Sequence, residues 1–149
     1  EPLTVREKEL VQAHTMLGAA MLKNLDSHKE DDLVTTAYEI CRWHHERYDG
    51  KGYPDGLKGD EIPISAQIVS LADAYDKLTR DRVNKKGISH KEAVNILLHE
   101  RASEFNPILL KCLEEIQGNI SRAMQDGGRD LEVLNEGSAY KKMIEEAEE

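Results

Sequence analysis

No stretch of this 149-residue sequence approaches the ~20 consecutive apolar residues that a membrane span requires, and no secretory leader is recognisable. Positive charge is short as well: 20 Lys and Arg stand against 29 Asp and Glu, a formal net charge of −9. Nucleic-acid polymers and anionic membranes both select basic surfaces, so neither is an expected partner. There are only two cysteines, Cys41 and Cys112, each inside an apolar helical pattern. That argues against a disulfide framework and fits two reduced core thiols in a cytoplasmic protein. No segment reads convincingly as a strand, and no internal repeat is evident. A chain of this length suits one compact domain. It begins at Glu1 and its first methionine is Met16, which is read as a piece excised from something longer.

What is present is helical punctuation. Thr4-Val5-Arg6-Glu7 has the form of a capping box, and the apolar residues Leu10, Val11, Leu17, Met21, Leu22 and Leu25 then recur at helical spacing, with His14 on the same stripe. Asp31 or Asp32 can cap a second helix whose face is Leu33, Val34, Ala37, Ile40 and Cys41; His44 continues that face, and His45 lies about 100° further round the axis. A glycine-rich loop over residues 47 to 64 is longer than a small domain normally tolerates without a use for it. A third helix runs from Ser65 to roughly Arg80 and carries Asp73 and Asp76. Ser89-His90-Lys91-Glu92 repeats the capping-box pattern, and Asn106-Pro107 places a cap before proline at the first helical position. The expected fold is all-α: a bundle of about five core helices over residues 1–125, then an acidic helix or tail over 126–149 that packs on the bundle or serves a partner. His28 and His90 are read as solvated surface residues.

His14, His44, His45 and Asp73 sit on or beside the apolar stripes of three different helices, and a bundle brings such stripes to a common axis. Imidazole and carboxylate together are the ligand set of hydrolytic iron, manganese and zinc sites. Each residue alone is better explained by packing or pairing: a lone histidine on an apolar face is usually a satisfied core residue. The joint occurrence next to a rigid loop favours a metal centre. On a regular helix two adjacent histidines do not readily chelate one ion, so they are expected to serve two neighbouring metals.

The segment "HHERYDGKGYPDGLKGDEIPISAQIVSLADAYDKL", residues 44 to 78, closely resembles the signature region of the HD-GYP domains, an all-helical branch of the HD metal-dependent phosphohydrolases. The resemblance extends from about Leu3 to Leu113 and includes Leu3, Thr4, His14, Gly18 and the Phe105-Asn106-Pro107 triplet. It implies bacterial signalling through cyclic di-GMP, with a two- or three-metal centre of iron or manganese and a hydroxide held between metals that attacks the phosphodiester. It implies His14, His44, His45 and Asp73 as metal ligands. It implies Gly52, Tyr53 and Pro54 as the substrate-contacting loop, Arg82 and Lys85 as phosphate-binding cations, and Asp49 and Asp76 as supporting acids that order the loop and the ligands.

The sequence departs from that family pattern in specific places. The family's His-Asp pair belongs upstream of Leu3, and no His-Asp dipeptide occurs here. Gln67 stands where many members have arginine, and Val83-Asn84 follow Arg82 in place of proline and tyrosine. The expectation is therefore the C-terminal part of a cyclic di-GMP phosphodiesterase, inactive by itself. It would have an exposed apolar surface that a homodimer or an exchange of helices can bury. The competing expectation is a non-catalytic module that docks a receiver or diguanylate-cyclase domain.

Overall fold

A computed structural model describes residues 4–24, 32–81 and 85–125, the side chains of 123–125 excepted. Among the described residues five α-helices follow one another: α1 Val5–Lys23, α2 Asp32–Trp43, α3 Ile64–Thr79, α4 His90–Asn95 and α5 Pro107–Gln125. There is no β-strand among the described residues. Helix α4 runs on into a π-helical turn, Ile96–Glu100, and short 3₁₀ turns occupy Gly59–Glu61 and Ala102–Glu104. None of the described helices is long and apolar enough to cross a membrane. The acidic segment 126–149, together with Leu25, His28, Asp31 and Arg82 to Asn84, lies outside the described residues.

Three of the expected caps form, at Thr4, Ser89 and Asn106. Thr4 Oγ1 accepts from the Glu7 amide, and the Glu7 carboxylate accepts from the Thr4 amide at 2.8 Å. Ser89 Oγ accepts from the Glu92 amide. Asn106 Oδ1 accepts from the Ile108 amide at 2.9 Å, while its Nδ2 donates to buried Gln67 Oε1 at 2.9 Å. Gln67 Nε2 in turn donates to the Ile62 carbonyl at 2.6 Å. Gln67 is therefore a buried tie between the start of α3 and the start of α5. Asn106→Ala removes both the cap and the partner of Gln67, and should cost about 1–3 kcal/mol in urea unfolding.

The core lies where α3, α4, the π turn and α5 meet. Ala74, Leu97, Phe105, Leu110 and Leu113 form its buried cluster, with Leu71, Tyr75 and Leu78 packed against it. Helix α1 sits outside this cluster and packs chiefly on α2. It buries only Thr15 and Ala19, with Gly18 against Cys41. Its large apolar residues point the other way: Leu10 is 68%, Leu17 64% and Met21 75% exposed. The helical stripe read from the sequence is real, but in this chain it is a surface. The small residues on the opposite side of the helix make the contact with α2, because they allow the backbones to approach closely.

Two further readings change. Helix α2 ends at Trp43, so His44 and His45 occupy the turn after it and not the helix itself. His90 is half-buried and shares a 2.7 Å hydrogen bond between Nδ1 and the Tyr75 hydroxyl, so it is not a free surface histidine.

Candidate metal centre

Three imidazoles meet where α1 crosses the end of α2. The ring centroids of His14 and His44 are 5.3 Å apart, those of His14 and His45 5.1 Å, and those of His44 and His45 4.1 Å. One ligand nitrogen from each lies within 4.8 Å of the others. The break at Trp43 matters here. In a continuous helix the two adjacent rings would diverge by about 100°, whereas the turn lets both face His14.

The hydrogen bonds fix the chemistry of two of these rings. His14 Nδ1 lies 2.6 Å from the Val11 carbonyl, and His44 Nδ1 lies 2.7 Å from the Ile40 carbonyl. A carbonyl oxygen only accepts, so both rings carry their proton on Nδ1. Both Nε2 atoms then present lone pairs, and these face each other at 3.4 Å. Two lone pairs aimed at one point repel unless a cation lies between them, and backbone-anchored Nδ1–H is the usual support of a metal-ligating histidine. Burial pushes the His45 imidazole down to about 4, the neighbouring His44 and His14 imidazoles and the Lys77 ammonium acting in the same direction against the pull of Asp73. It is thus neutral at physiological pH, as a ligand must be. The donor set fits a divalent transition metal.

Asp73 is not one of this trio. It lies on α3, and its carboxylate is held by the Lys77 ammonium one helical turn on. It does line the same cavity of about 300 Å³ as His45, Gly52 and Tyr53, together with Lys51, Lys77, Arg47 and Arg101. Asp76 sits on the exposed side of α3 and pairs with Arg80 at 3.5 Å. Lys85 is exposed and does not line the cavity, and Arg82 lies outside the described residues.

The loop is held to this cluster at several points. The Tyr53 ring packs on His45 with centroids 4.9 Å apart, and its amide donates to the His45 carbonyl at 3.2 Å. Burial and the Asp73 charge push the Tyr53 phenol up, so it keeps its proton and remains a hydrogen-bond donor. Asp49 takes both forks of the Arg47 guanidinium at 3.0 and 2.6 Å and also accepts from the Lys51 amide. Asp55 accepts from Arg42 at 2.8 and 2.9 Å and from Trp43 Nε1 at 2.7 Å. The Tyr53–Pro54 peptide is cis.

Sequence reasoning missed Glu46. Its side chain is fully buried, and Oε1 accepts from the amides of Asp55 and Gly56 at 2.7 and 2.9 Å. A carboxylate next to two candidate ligands was visible, but nothing in its spacing distinguishes a loop anchor from a solvated acid. Arg101 and Glu104 were missed for the same reason. They form a two-pronged pair at 3.0 and 2.6 Å, and Glu104 also meets Arg47 at 3.5 Å, which ties the loop to the start of α5.

Comparison with known proteins agrees with this geometry. Residues 1–109 match a family model described as HD domain. The chain is 44% identical over 110 residues to a probable cyclic di-GMP phosphodiesterase of Vibrio cholerae, covering 72% of this chain and 25% of that protein. It is 34% identical over 128 residues to the cyclic di-GMP phosphodiesterase response regulator RpfG of Xanthomonas campestris, covering 81% and 33%. Over 113 residues it is 34% identical to the 3′3′-cGAMP-specific phosphodiesterase 2 of Vibrio cholerae, covering 76% and 21%. The chain thus spans between a fifth and a third of the length of these relatives. With a helical bundle, three convergent imidazoles and the Gly52-Tyr53-Pro54 loop beside them, the chain belongs to the HD domain family, in its HD-GYP branch.

Proposed function

We propose that this chain forms the metal- and substrate-binding part of a cyclic di-GMP phosphodiesterase. The observation that carries the proposal is the convergence of three ring nitrogens, two of them with their protons anchored on backbone carbonyls. His14, His44 and His45 would hold manganese or iron, with Asp73 as a fourth ligand from the cavity wall. A bound divalent cation lowers the pKa of water and offsets charge on the phosphodiester. The protein's own groups do the rest. Tyr53 donates its phenolic proton to a phosphate oxygen. Gly52 keeps the loop backbone close to the end of α2. Glu46 and Asp55 fix the loop from either side, and Arg82 and Lys85 supply further positive charge after α3. The intact protein would break a phosphorus–oxygen bond to the ribose 3′ oxygen and release a linear dinucleotide.

Binding tests this without requiring turnover. Equilibrium dialysis of cyclic di-GMP against the manganese-loaded chain should show retention that disappears on chelation. Tyr53→Ala should weaken it about fivefold or more through loss of ring contact and hydrogen bond, with manganese affinity unchanged. Retention that persists unchanged in chelator would sink the proposal. Competition with 3′3′-cGAMP decides between the two nucleotides that the relatives' names carry.

One observation favours a second reading. The exposed Leu10, Leu17 and Met21 on α1 form an apolar surface larger than isolated exposed residues make, as a docking module would have. A receiver or diguanylate-cyclase domain, or a second copy of the chain, is then the partner. Such docking would be insensitive to metal removal, and that separates the readings. Two-component signalling is compatible with either reading and is supported by the similarity to a response regulator. A cytoplasmic location belongs to the same proposal.

A further inference from the structure

We infer that Lys77 competes with the metal for the Asp73 carboxylate, and that its displaced ammonium then serves as an anion contact in the cavity. The inference rests on the metal reading above and adds Lys77, which carries no role in the sequence analysis. Lys77 follows Asp73 by four residues, so the two side chains lie on one face of α3, and Nζ meets Asp73 Oδ2. Both line the cavity that holds His45 and Tyr53. Both charges also reach the metal cluster, since Lys77 and Asp73 act on His45 in opposite directions. Asp73 nevertheless stands outside the three-imidazole group, its charge satisfied by an ammonium.

The pair is weak enough to exchange. The Lys77 and Asp73 side chains are 45% and 32% exposed, and ion pairs at such exposure are readily outcompeted in water. A doubly charged ion among the imidazoles attracts Asp73 and repels Lys77. The flexible four-carbon stem of lysine lets the ammonium swing away from Asp73 while staying over the cavity. Two of the other cations lining that cavity are already engaged: Arg47 by Asp49 and Arg101 by Glu104. A lysine released by metal arrival would therefore add positive charge at the moment a phosphodiester is to be bound, coupling the two binding events.

The test compares the full chain with Lys77→Met, which keeps the stem and removes the charge. Free manganese measured by electron paramagnetic resonance should show metal binding tightened about two- to fivefold, the range an exposed ion pair supports. Cyclic di-GMP binding to the metal-loaded variant should weaken about threefold or more, and Lys77→Arg should return both values toward the original. Unchanged or weaker manganese affinity in Lys77→Met overturns the competition, and unchanged cyclic di-GMP binding overturns the anion role. The two levels of failure are distinguishable. If the unmodified chain holds no manganese that depends on His44, the metal reading itself falls and takes this inference with it. If that manganese is present and Lys77→Met leaves it unaltered, the inference alone falls.

Discussion

Gly52→Ala is expected to lower the unfolding free energy by about 3 kcal/mol or more and to displace the Tyr53 loop, whereas Gly118→Ala should be neutral or stabilising. A Cβ at Gly52 would lie 2.4 Å from the Arg47 amide nitrogen, 2.4 Å from Glu46 Cα and 2.6 Å from Glu46 carbonyl carbon. These are backbone atoms of the segment that follows α2, not the far ends of flexible side chains, so relief requires the loop backbone to shift. The loop is pinned by Glu46, by Asp55 and by the Tyr53 amide on His45, and a shift must break some of these bonds. Gly118 has open space around its Cβ position on α5, and alanine there gains helix propensity. Urea titration gives the two energies. The emission of Trp43, whose indole nitrogen is bonded to Asp55, reports the loop independently. Equal unfolding midpoints for both variants would show that the loop is not held as described.

His44→Ala should reduce manganese affinity at least about tenfold while leaving helical content unchanged. His44 forms a triangle with the other two rings, and its Nδ1 is committed to the Ile40 carbonyl. Truncation removes a prepared ligand, while the Ile40 carbonyl keeps the backbone amide of residue 44 as a donor, so the structural cost is small. His90→Ala is the matched control. It breaks a hydrogen bond to Tyr75, which should cost about 1 kcal/mol of stability and no metal affinity. Equal metal losses in the two variants would contradict the ligand assignment.

Much of the fold was legible because its signals are local. Thr4, Ser89 and Asn106 cap helices by contacts within three residues, and the five helices follow the apolar periods. The site was legible in part for a different reason: histidines and glycines in a fixed order carry chemistry that packing does not need. What escaped was non-local. Periodicity shows that Leu10, Leu17 and Met21 share a face but not whether anything covers it. The end of α2 at Trp43 has no cap or proline to announce it, so periodicity alone carries the helix on through His44 and His45, where the chain turns and brings both rings to His14. Glu46 and Lys77 look like ordinary surface charges until the loop folds over one and Asp73 meets the other.

The most direct measurement is electron spin-echo envelope modulation on the manganese-loaded, desalted chain. Nitrogen modulation from directly bound imidazole is expected, and it should be lost in His44→Ala. A spectrum of fully hydrated manganese, without nitrogen modulation and identical in the two proteins, would contradict the claim that His14, His44 and His45 form a metal site.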